Sequence, residues 1–544
     1  MKQRIFTITI IFCLMSLAAC SSGANTVEKS TPQPSEQTLP NVISLWIPPF
    51  IPSGLSNALK ISENILTDTT EEKADIRLDV GNDYPVSTWV YALVAPFPTV
   101  ADEVSLKDLQ GFWRGDSNVN FPAKRIIMEG GTQAIFTKLW GNPSVSIISS
   151  VSVDMLLSTA WQEKTTWAII PFEQIEPKWK VIRVEGQSPI HKDFNLKTYP
   201  LSVPFTFVGK SGIVEKFYDS FGPTAASPIV PSTNRDPNKM TVVAETGVTA
   251  LVRGTAYLME QKGITYPAQD IGEILRNADI THISNEVPFW PSCPKPFSNP
   301  ENDRNMVFCS KPEYIQLLEA VGTDVVELTG DHFRDWGPEP MLYTLDMYDQ
   351  RGWKYYGGGR NIDDAEKPAL FENNGNKIAF LGCNAKLIGY ATASATNPGA
   401  VHCDLDVMAK KIQEVVQQGY NPIFTFQHIE YYAYKADPVL VKDFHKVAEA
   451  GAVIVGGSQA HMPGALEFYR GATLHYGLGN LFFDQYTEGL ETRKAFIDMH
   501  IFYNNKYINT ELITMEFVDM ARPRLMTAAE REYLLKDVFF ASGW

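Results

Sequence analysis

Polar side chains recur in one kind of place along the second half of this sequence: directly after a short apolar run. Asn285-Glu286 follow Ile280 to Ile283. Gly330-Asp331-His332 follow Val325 to Leu328, with Asp335-Trp336-Gly337 close behind. His428 and Glu430 follow Ile423 to Phe426, and Gly456-Gly457-Ser458-Gln459-Ala460-His461 follow Val453 to Val455. Asn, Asp and two His form a mixed N/O donor set, which suits Mn, Fe or Zn better than a thiolate site would. A metal held there lowers the pKa of a bound water and polarises a phosphoryl oxygen. Taken singly, each group has a plainer role: His428 as a structural histidine, Gly330-Asp331 as a turn or helix cap, Asn285-Glu286 as a turn. Their recurrence at successive strand ends points to a shared site. His191, His282, His402, His445, His475 and His500 have no such context and are assigned no role.

The elements that must position these groups alternate regularly from about Met240. Helical spacing at Ile271, Ile274 and Leu275 precedes the strand Ile280 to Ile283, and helical spacing at Tyr314, Leu317, Leu318 and Val321 precedes Val325 to Leu328. The cycle continues through Leu342, Leu345 and Tyr348 to Trp353–Tyr356, then Ile378–Leu381. A stripe at Leu405, Met408, Ile412, Val415 and Val416 leads to Ile423–Phe426, and Val439–Ala450 leads to Val453–Val455. Such alternation predicts a layered α/β domain, and in open α/β sheets ligands sit beyond the carboxyl ends of the strands. Residues 223–238, rich in Pro, Ala, Ser, Thr and Asn, read as a linker. The predicted divisions are 42–235 for a first domain, 240–520 for the second, and 521–544 for a C-terminal tail.

The first domain is rich in aromatics and prolines, with strand-like runs such as Trp89–Ala95 and a short helix from Ser105-Leu106-Lys107-Asp108-Leu109 to Trp113-Arg114-Gly115. With Ala168-Ile169-Ile170-Pro171-Phe172 and Tyr199-Pro200-Leu201 it resembles the two-lobed solute-binding proteins of the periplasm. A β-rich spacer without a ligand is the alternative.

The second domain resembles the CapA family of poly-gamma-glutamate capsule synthesis proteins over about 240–490. The segments that carry the resemblance are Ser284-Asn285-Glu286, Gly330-Asp331-His332-Phe333-Arg334-Asp335-Trp336-Gly337, Gly357-Gly358-Gly359-Arg360-Asn361, Lys377 to Gly382, His428, and Tyr476-Gly477-Leu478-Gly479-Asn480-Leu481-Phe482-Phe483. That resemblance implies a four-layer metallophosphoesterase-like α/β sandwich, preceded here by the two-lobed solute-binding-like α/β domain. It further implies His332 as a proton donor, Asn285, Asp331, His428 and His461 as metal ligands, and Glu286, Asp335 and Arg253 as support. One divalent ion (Mn, Fe or Zn) is the expected cofactor, or none where the site is degenerate. The pattern is broken in three places. Glu245-Thr246-Gly247 stands where the family's first strand ends in Gly-Asp, Gln459 replaces the first histidine of Gly-x-His-Pro-His, and, aligned on Glu286, the family's Asn falls on Ser284. The implied activity is metal-assisted hydrolysis or transfer, and the alternative is a degenerate scaffold that binds a solute or polymer.

Composition sets the setting. Forty-seven Lys and Arg against 62 Asp and Glu give a net charge of −15, which speaks against a nucleic-acid surface. Lys2 and Arg4 precede the apolar run Ile5–Leu17, which is short for a membrane span and right for a secretory signal over residues 1–20. Leu17-Ala18-Ala19-Cys20 resembles a lipoprotein lipobox, with Cys20 the lipidated residue, and 21–41 reads as a tether. The expected location is extracytoplasmic and membrane-anchored, the partners being the membrane through that lipid and an envelope polymer or small solute. In an oxidising compartment Cys293, Cys309, Cys383 and Cys403 are expected to pair locally, Cys293 with Cys309 and Cys383 with Cys403, with a zinc site as the alternative. A Cys20→Ser variant is expected to lose incorporation of labelled fatty acid and to leave the membrane fraction; equal labelling of variant and parent would rule the lipid site out.

Overall fold

The computed structural model describes residues 42–67, 69–226, 228–297, 305–386, 389 and 391–544. The expected signal, lipidated Cys20 and tether lie outside them.

The first domain is built on the strand Pro85–Pro96, most of it buried. Its first half pairs antiparallel with Ser202–Gly209, which carries Ile76–Val80, Ile43–Trp46 and Ile65–Leu66 beyond it. Its second half pairs with Thr166–Pro171 and Trp179–Val184. Two half-sheets thus share one central strand. Helix Leu106–Arg114 lies where the sequence places it: the Ser105 side chain accepts from the Asp108 N–H, and Gly115 ends the helix in the left-handed conformation. Trp113, Phe136, Trp167 and Trp179 are fully buried in one continuous apolar cluster.

The second domain stacks two sheets face to face. One runs Lys354–Tyr356, Val325–Glu327, Ile280–Asn285, Met240–Thr246, Lys494–Tyr503, Lys506–Phe517, Pro523–Leu525; the other runs Ala369–Asn373, Asn376–Asn384, Asn421–Gln427, Ile454–Gly456, Ala472–His475, Leu466–Tyr469. The crossover strands are parallel, as the alternation predicts. Helices Arg253–Lys262, Ile315–Ala320 and Pro338–Arg351 cover the first sheet, and Leu405–Gln417 and Pro438–Ala450 the second, which completes four layers. Met408, Ile412 and Val415 are buried as their helical spacing requires, while Val416 is exposed.

Side chains alternate across each strand, so every second residue faces the opposite sheet. Val243, Ile280, Val325, Ile378, Phe380, Ile423 and Ile454 meet there as an apolar layer. Farther along the same strands the inward positions turn polar: Glu245, His282, Ser284, Glu327, Thr425. The inter-sheet layer therefore grades from oil to charge toward the carboxyl ends.

Three sequence expectations change. The expected linker is not a free connection over its residues 228–238: Ile229, Val230 and Arg235 are buried, Asn234 pairs with the backbone of Val90, and Arg235 donates to the Pro189 and His191 carbonyls, so composition misread a segment that packs on the first domain. The strand read as Ile378–Leu381 runs on to Asn384, because Gly382, Cys383 and Asn384 continue the parallel ladder with Thr425, Phe426 and Gln427. The expected tail is not separate: Pro523–Leu525 joins the edge of the first sheet, and helix Ala528–Ala541 buries Leu534, Leu535, Val538 and Phe539. Phe97 of the first domain packs against Phe468, Phe539 and Trp544 there.

Charges also bridge the domains. Arg531 donates to both carboxylate oxygens of Asp102, at 2.8 and 2.9 Å, and Lys180 Nζ lies 2.6 Å from the same group. His191 Nε2 lies 2.7 Å from Glu511. Burial works against both of those charges, but each partner outweighs it, so the His191 pKa is raised above 6.5 and the Glu511 pKa held below 4.5. The histidine's contribution is complete below pH 6.5 and is lost as pH rises through its raised value; the carboxylate's is complete above pH 4.5 and is lost as pH falls through its lowered one. In melting experiments the parent chain should exceed His191→Gln in stability in the window between, and that advantage should shrink as pH climbs above 6.5; a constant difference would show that the pair is not charged.

Candidate functional site

At the carboxyl ends of the strands the inward positions converge. Glu286, the next inward residue after Ser284, Asp331 and His332 place one ligand atom each within 4.8 Å of one another. Into this group comes Lys386, the second residue beyond Asn384 and on the same parity as Ile378 and Phe380. Its Nζ lies 2.9 Å from Asp331 Oδ2 and 2.9 Å from Glu430 Oε1. Gln427 Nε2 donates to the other Asp331 oxygen at 3.1 Å. His461 stands beside them, its Nε2 3.8 Å from Glu430 and its Nδ1 2.9 Å from Asn480 Oδ1.

Loops that would otherwise be loose are tied down. Asn384 donates to the Thr329 carbonyl at 2.8 Å and accepts from the Lys386 N–H at 2.9 Å, which joins the lysine's loop to the aspartate's. The disulfide Cys383–Cys403 closes that loop, and Cys293–Cys309 closes another that brings Phe308 to 4.6 Å from the His332 ring, centroid to centroid. Asp335 accepts from the Phe308 N–H and lies 2.7 Å from His332 Nδ1, so it fixes loop and imidazole together.

Burial raises the Glu286 pKa to about 8. Burial works to lower that of His332, but Asp335, Glu286 and Asp331 together raise it to about 9. Burial likewise opposes the charges of Asp331, Glu430 and Lys386, and their mutual contacts prevail: both carboxylates are held below the usual range and the ammonium above its own. Burial depresses His461 below the ordinary histidine value. The mutual contacts thus favour the anionic forms of Asp331 and Glu430 and the cationic forms of Lys386 and His332, while burial works against charge on Glu286 and His461.

Two expected ligands do not reach it, for the same reason. Asn285 and His428 have the outward parity. Asn285 donates to Tyr348 Oη and the Val287 carbonyl within the helix-side layer. His428 Nε2 lies 3.1 Å from Asp443 on helix Pro438–Ala450, and its Nδ1 accepts from the Ile429 N–H. The turn at Ser284-Asn285 has not shifted, and Ser284 faces inward, accepting from Gln459 Nε2 at 2.5 Å. Asp331, His332, His461, Glu286 and Asp335 are brought together. Arg253, in the left-handed region at φ 46°, donates to the Asp484 carbonyl and spreads over the rings of Phe308 and Phe483 at the rim. Lys386 and Gln427 carry no mark in the sequence, and Glu430 stands at a strand end there without an assigned role. Period-two counting from Ile378 and Ile423 would have reached Lys386 and Gln427 once the strands were given their full length.

Behind the cluster, between the sheets, lie three histidine–carboxylate pairs: His282 with Glu327 at 3.3 Å, His500 with Glu245 at 2.9 Å, and His475 with Asp498 at 2.6 Å. A two-ion phosphoesterase centre holds its metals roughly 3.5–4 Å apart with an aspartate and a histidine at the places taken here by Glu245 and Gln459. Both are committed elsewhere, to His500 and Ser284. The residues present do not fit a two-ion centre, and one ion on Glu286, Asp331 and His332 would have to share Asp331 with Lys386.

Gly456 leaves the space that Glu245 fills, since a Cβ there would run into Glu245 Oε1 and the carboxylate would have to shift. Gly456→Ala is expected to cost about 1–3 kcal/mol by overpacking, read as a lower melting temperature; an unchanged melt would mean that Glu245 does not occupy that space.

Residues 242–485 match the family model described as bacterial capsule synthesis protein PGA_cap. The capsule biosynthesis protein CapA of Bacillus anthracis is 24% identical over 261 residues, covering 47% of this chain and 63% of that protein. The PGA biosynthesis protein CapA of Bacillus subtilis (strain 168) is 27% identical over 235 residues, 42% of this chain and 59% of that one. The chain therefore spans about three fifths of the length of these curated relatives. Among solved structures, an ABC-type phosphate transport receptor from Vibrio cholerae overlaps 31% of this chain and 87% of its own, at 14% identity and TM-score 0.26. A 5'-nucleotidase precursor from Thermus thermophilus overlaps 56% and 58%, at 11% identity and TM-score 0.31, and both overlaps are too loose to carry an argument. Every member of the charged cluster falls within the matched segment, and residues 242–485 of this chain are a domain of the bacterial capsule synthesis protein PGA_cap family.

Proposed function

We propose that this chain is an extracytoplasmic lipoprotein that takes part in the synthesis or export of a capsule or other envelope polymer of the poly-gamma-glutamate type. The observation that supports this reading is the coincidence of the capsule-family match with the residues that build the charged cluster. Such a polymer carries repeated carboxylates. Lys386 and His332 offer cationic N–H donors beside Asp331 and Glu430, so a polymer carboxylate entering the cluster would compete for donors already oriented toward acidic oxygens. Asp335 holds His332, and Asn384 holds the Lys386 backbone, which limits the entropy lost on binding. The first domain, with two half-sheets on one shared strand, would capture a small solute or the polymer end, and Cys20 would keep both domains at the membrane.

A second reading, metal-assisted hydrolysis or transfer with His332 as acid, is favoured by the proximity of Glu286, Asp331 and His332. A Mn, Fe or Zn ion would supply Lewis acidity there, and this reading requires Lys386 to give up Asp331 to it. Asp335 would orient the His332 proton donor through Nδ1, leaving Nε2 toward the reacting group.

Deletion of the gene should abolish or sharply reduce surface polymer, and the parent chain should restore it. Complementation with a variant carrying both Asp331→Ala and His332→Ala should fail to restore polymer although the protein accumulates at parental level. Unchanged polymer after deletion would defeat the proposal; full rescue by the double variant would defeat the part assigned to the cluster.

A further inference from the structure

We infer that the ammonium of Lys386 is the resident cation of this site, held where a divalent ion would otherwise sit, and that its removal opens the surrounding side chains to a transition-metal ion. Asp331 is the one carboxylate common to the possible ligand group Glu286, Asp331 and His332 and to the lysine, and its two oxygens are engaged, Oδ2 by Lys386 Nζ at 2.9 Å and Oδ1 by Gln427 Nε2 at 3.1 Å. The same ammonium spans to Glu430 at 2.9 Å, so one fixed positive charge joins two acidic groups from separate strand ends.

This lysine is not a surface side chain that happens to fall inward. Its Cα leaves the strand Asn376–Asn384 on the inward parity. Asn384 clamps its N–H and simultaneously clamps the loop before Asp331, and the Cys383–Cys403 bridge closes the chain on its other side. Its side chain is 23% exposed, and those of Asp331 and Glu430 are 31% and 32% exposed. A divalent ion on Asp331 would therefore stand against an ammonium in a partly desolvated site, where like charges repel strongly. An ion can enter only if the lysine leaves, and leaving strands a charged head that the loop holds in place.

The vacated site would have a defined chemistry. Glu286, Asp331 and Glu430 supply carboxylate oxygens, His332 supplies an imidazole, and His461, whose Nδ1 is already oriented by Asn480, lies within reach of Glu430. Mixed carboxylate and imidazole donors suit Mn(II) or Zn(II). Lys386 is thus a positioning residue that does by a fixed charge what the neighbouring ligands alone would need a metal to do. The inference is independent of the capsule reading, since it concerns what the site holds rather than what the protein makes.

The test uses the full chain purified in detergent, incubated with Mn2+ or Zn2+ and desalted, with bound metal measured by mass spectrometry. The quantity read is Asp331-dependent uptake, the difference between each protein and the same protein carrying Asp331→Ala. The parent chain and Lys386→Arg should show none. Lys386→Met, which keeps the length of the side chain and removes its charge, should gain about one equivalent. Asp331-dependent metal in the parent chain would overturn the inference, and so would its absence from a Lys386→Met protein that retains a cooperative melting transition. Should Lys386→Met fail to fold, Lys386→Gln takes its place, and the parent-chain measurement stands by itself.

Discussion

A charge removed from water must meet its counter-charge, and in this protein that requirement organises the second domain from its core to its rim. Between the two sheets, where an apolar layer would pack without difficulty, stand three histidine–carboxylate pairs of almost no exposure. Each is joined to further donors: Glu327 accepts from Thr329 and Ser458, His282 meets Tyr356, and His500 meets Thr510. Replacing one member of such a pair leaves the other uncompensated, which is costlier than never having buried it. Two of the pairs lie within the first sheet; the contacts that cross to the other are His475 with Asp498, Ser458 with Glu327 and Tyr356 with Thr425, and these directional contacts hold the sheets in one relative position where an apolar layer alone would be more permissive.

That lock is what gives the strand ends their accuracy. Glu286, Asp331, Lys386 and Glu430 come from four different strand-to-loop junctions spread over both sheets, and a cluster with contacts of 2.9 Å cannot survive if the sheets shift. Glu327 sits on the strand before Asp331 and accepts from Ser458 on the other sheet's loop, directly coupling the buried layer to the site above. The two disulfides act from outside in the same sense: one restrains the loop of Phe308 over His332, the other the loop of Lys386. Site and scaffold are therefore one network, with polarity rising along each inward row until it opens at the rim.

The first domain is attached by a different kind of contact. The C-terminal helix contributes Arg531 to Asp102 and Phe539 to Phe97, so residues that close the chain also close the seam between the domains. Aromatic packing supplies area there, and the bidentate arginine supplies orientation. Residues 228–238 are themselves packed on the first domain, with Ile229, Val230 and Arg235 buried and Asn234 paired with Val90, and the C-terminal segment adds a second tie.

Much was legible in the residues alone. Alternating helical and strand-like runs determined the α/β layering of 240–520, because periodicities of 3.6 and two reflect which face each element must bury. The strand-end positions pointed to Glu286, Asp331, His332, Asp335 and His461, and the loop-closing cysteines to their partners. What the linear pattern did not decide was orientation. Asn285 and His428 have the right chemistry at the right place, yet strand parity turns them toward the helices, and parity is settled only when the pairing register with the neighbouring strands is known. Lys386 was invisible for a related reason. Its strand continues three residues beyond its apolar run, since Gly382, Cys383 and Asn384 are held there by the Asn421–Gln427 ladder and not by hydrophobicity. Local sequence determines which elements form and which groups they carry; which charges meet depends on how two sheets face each other, and only the tertiary structure decides that.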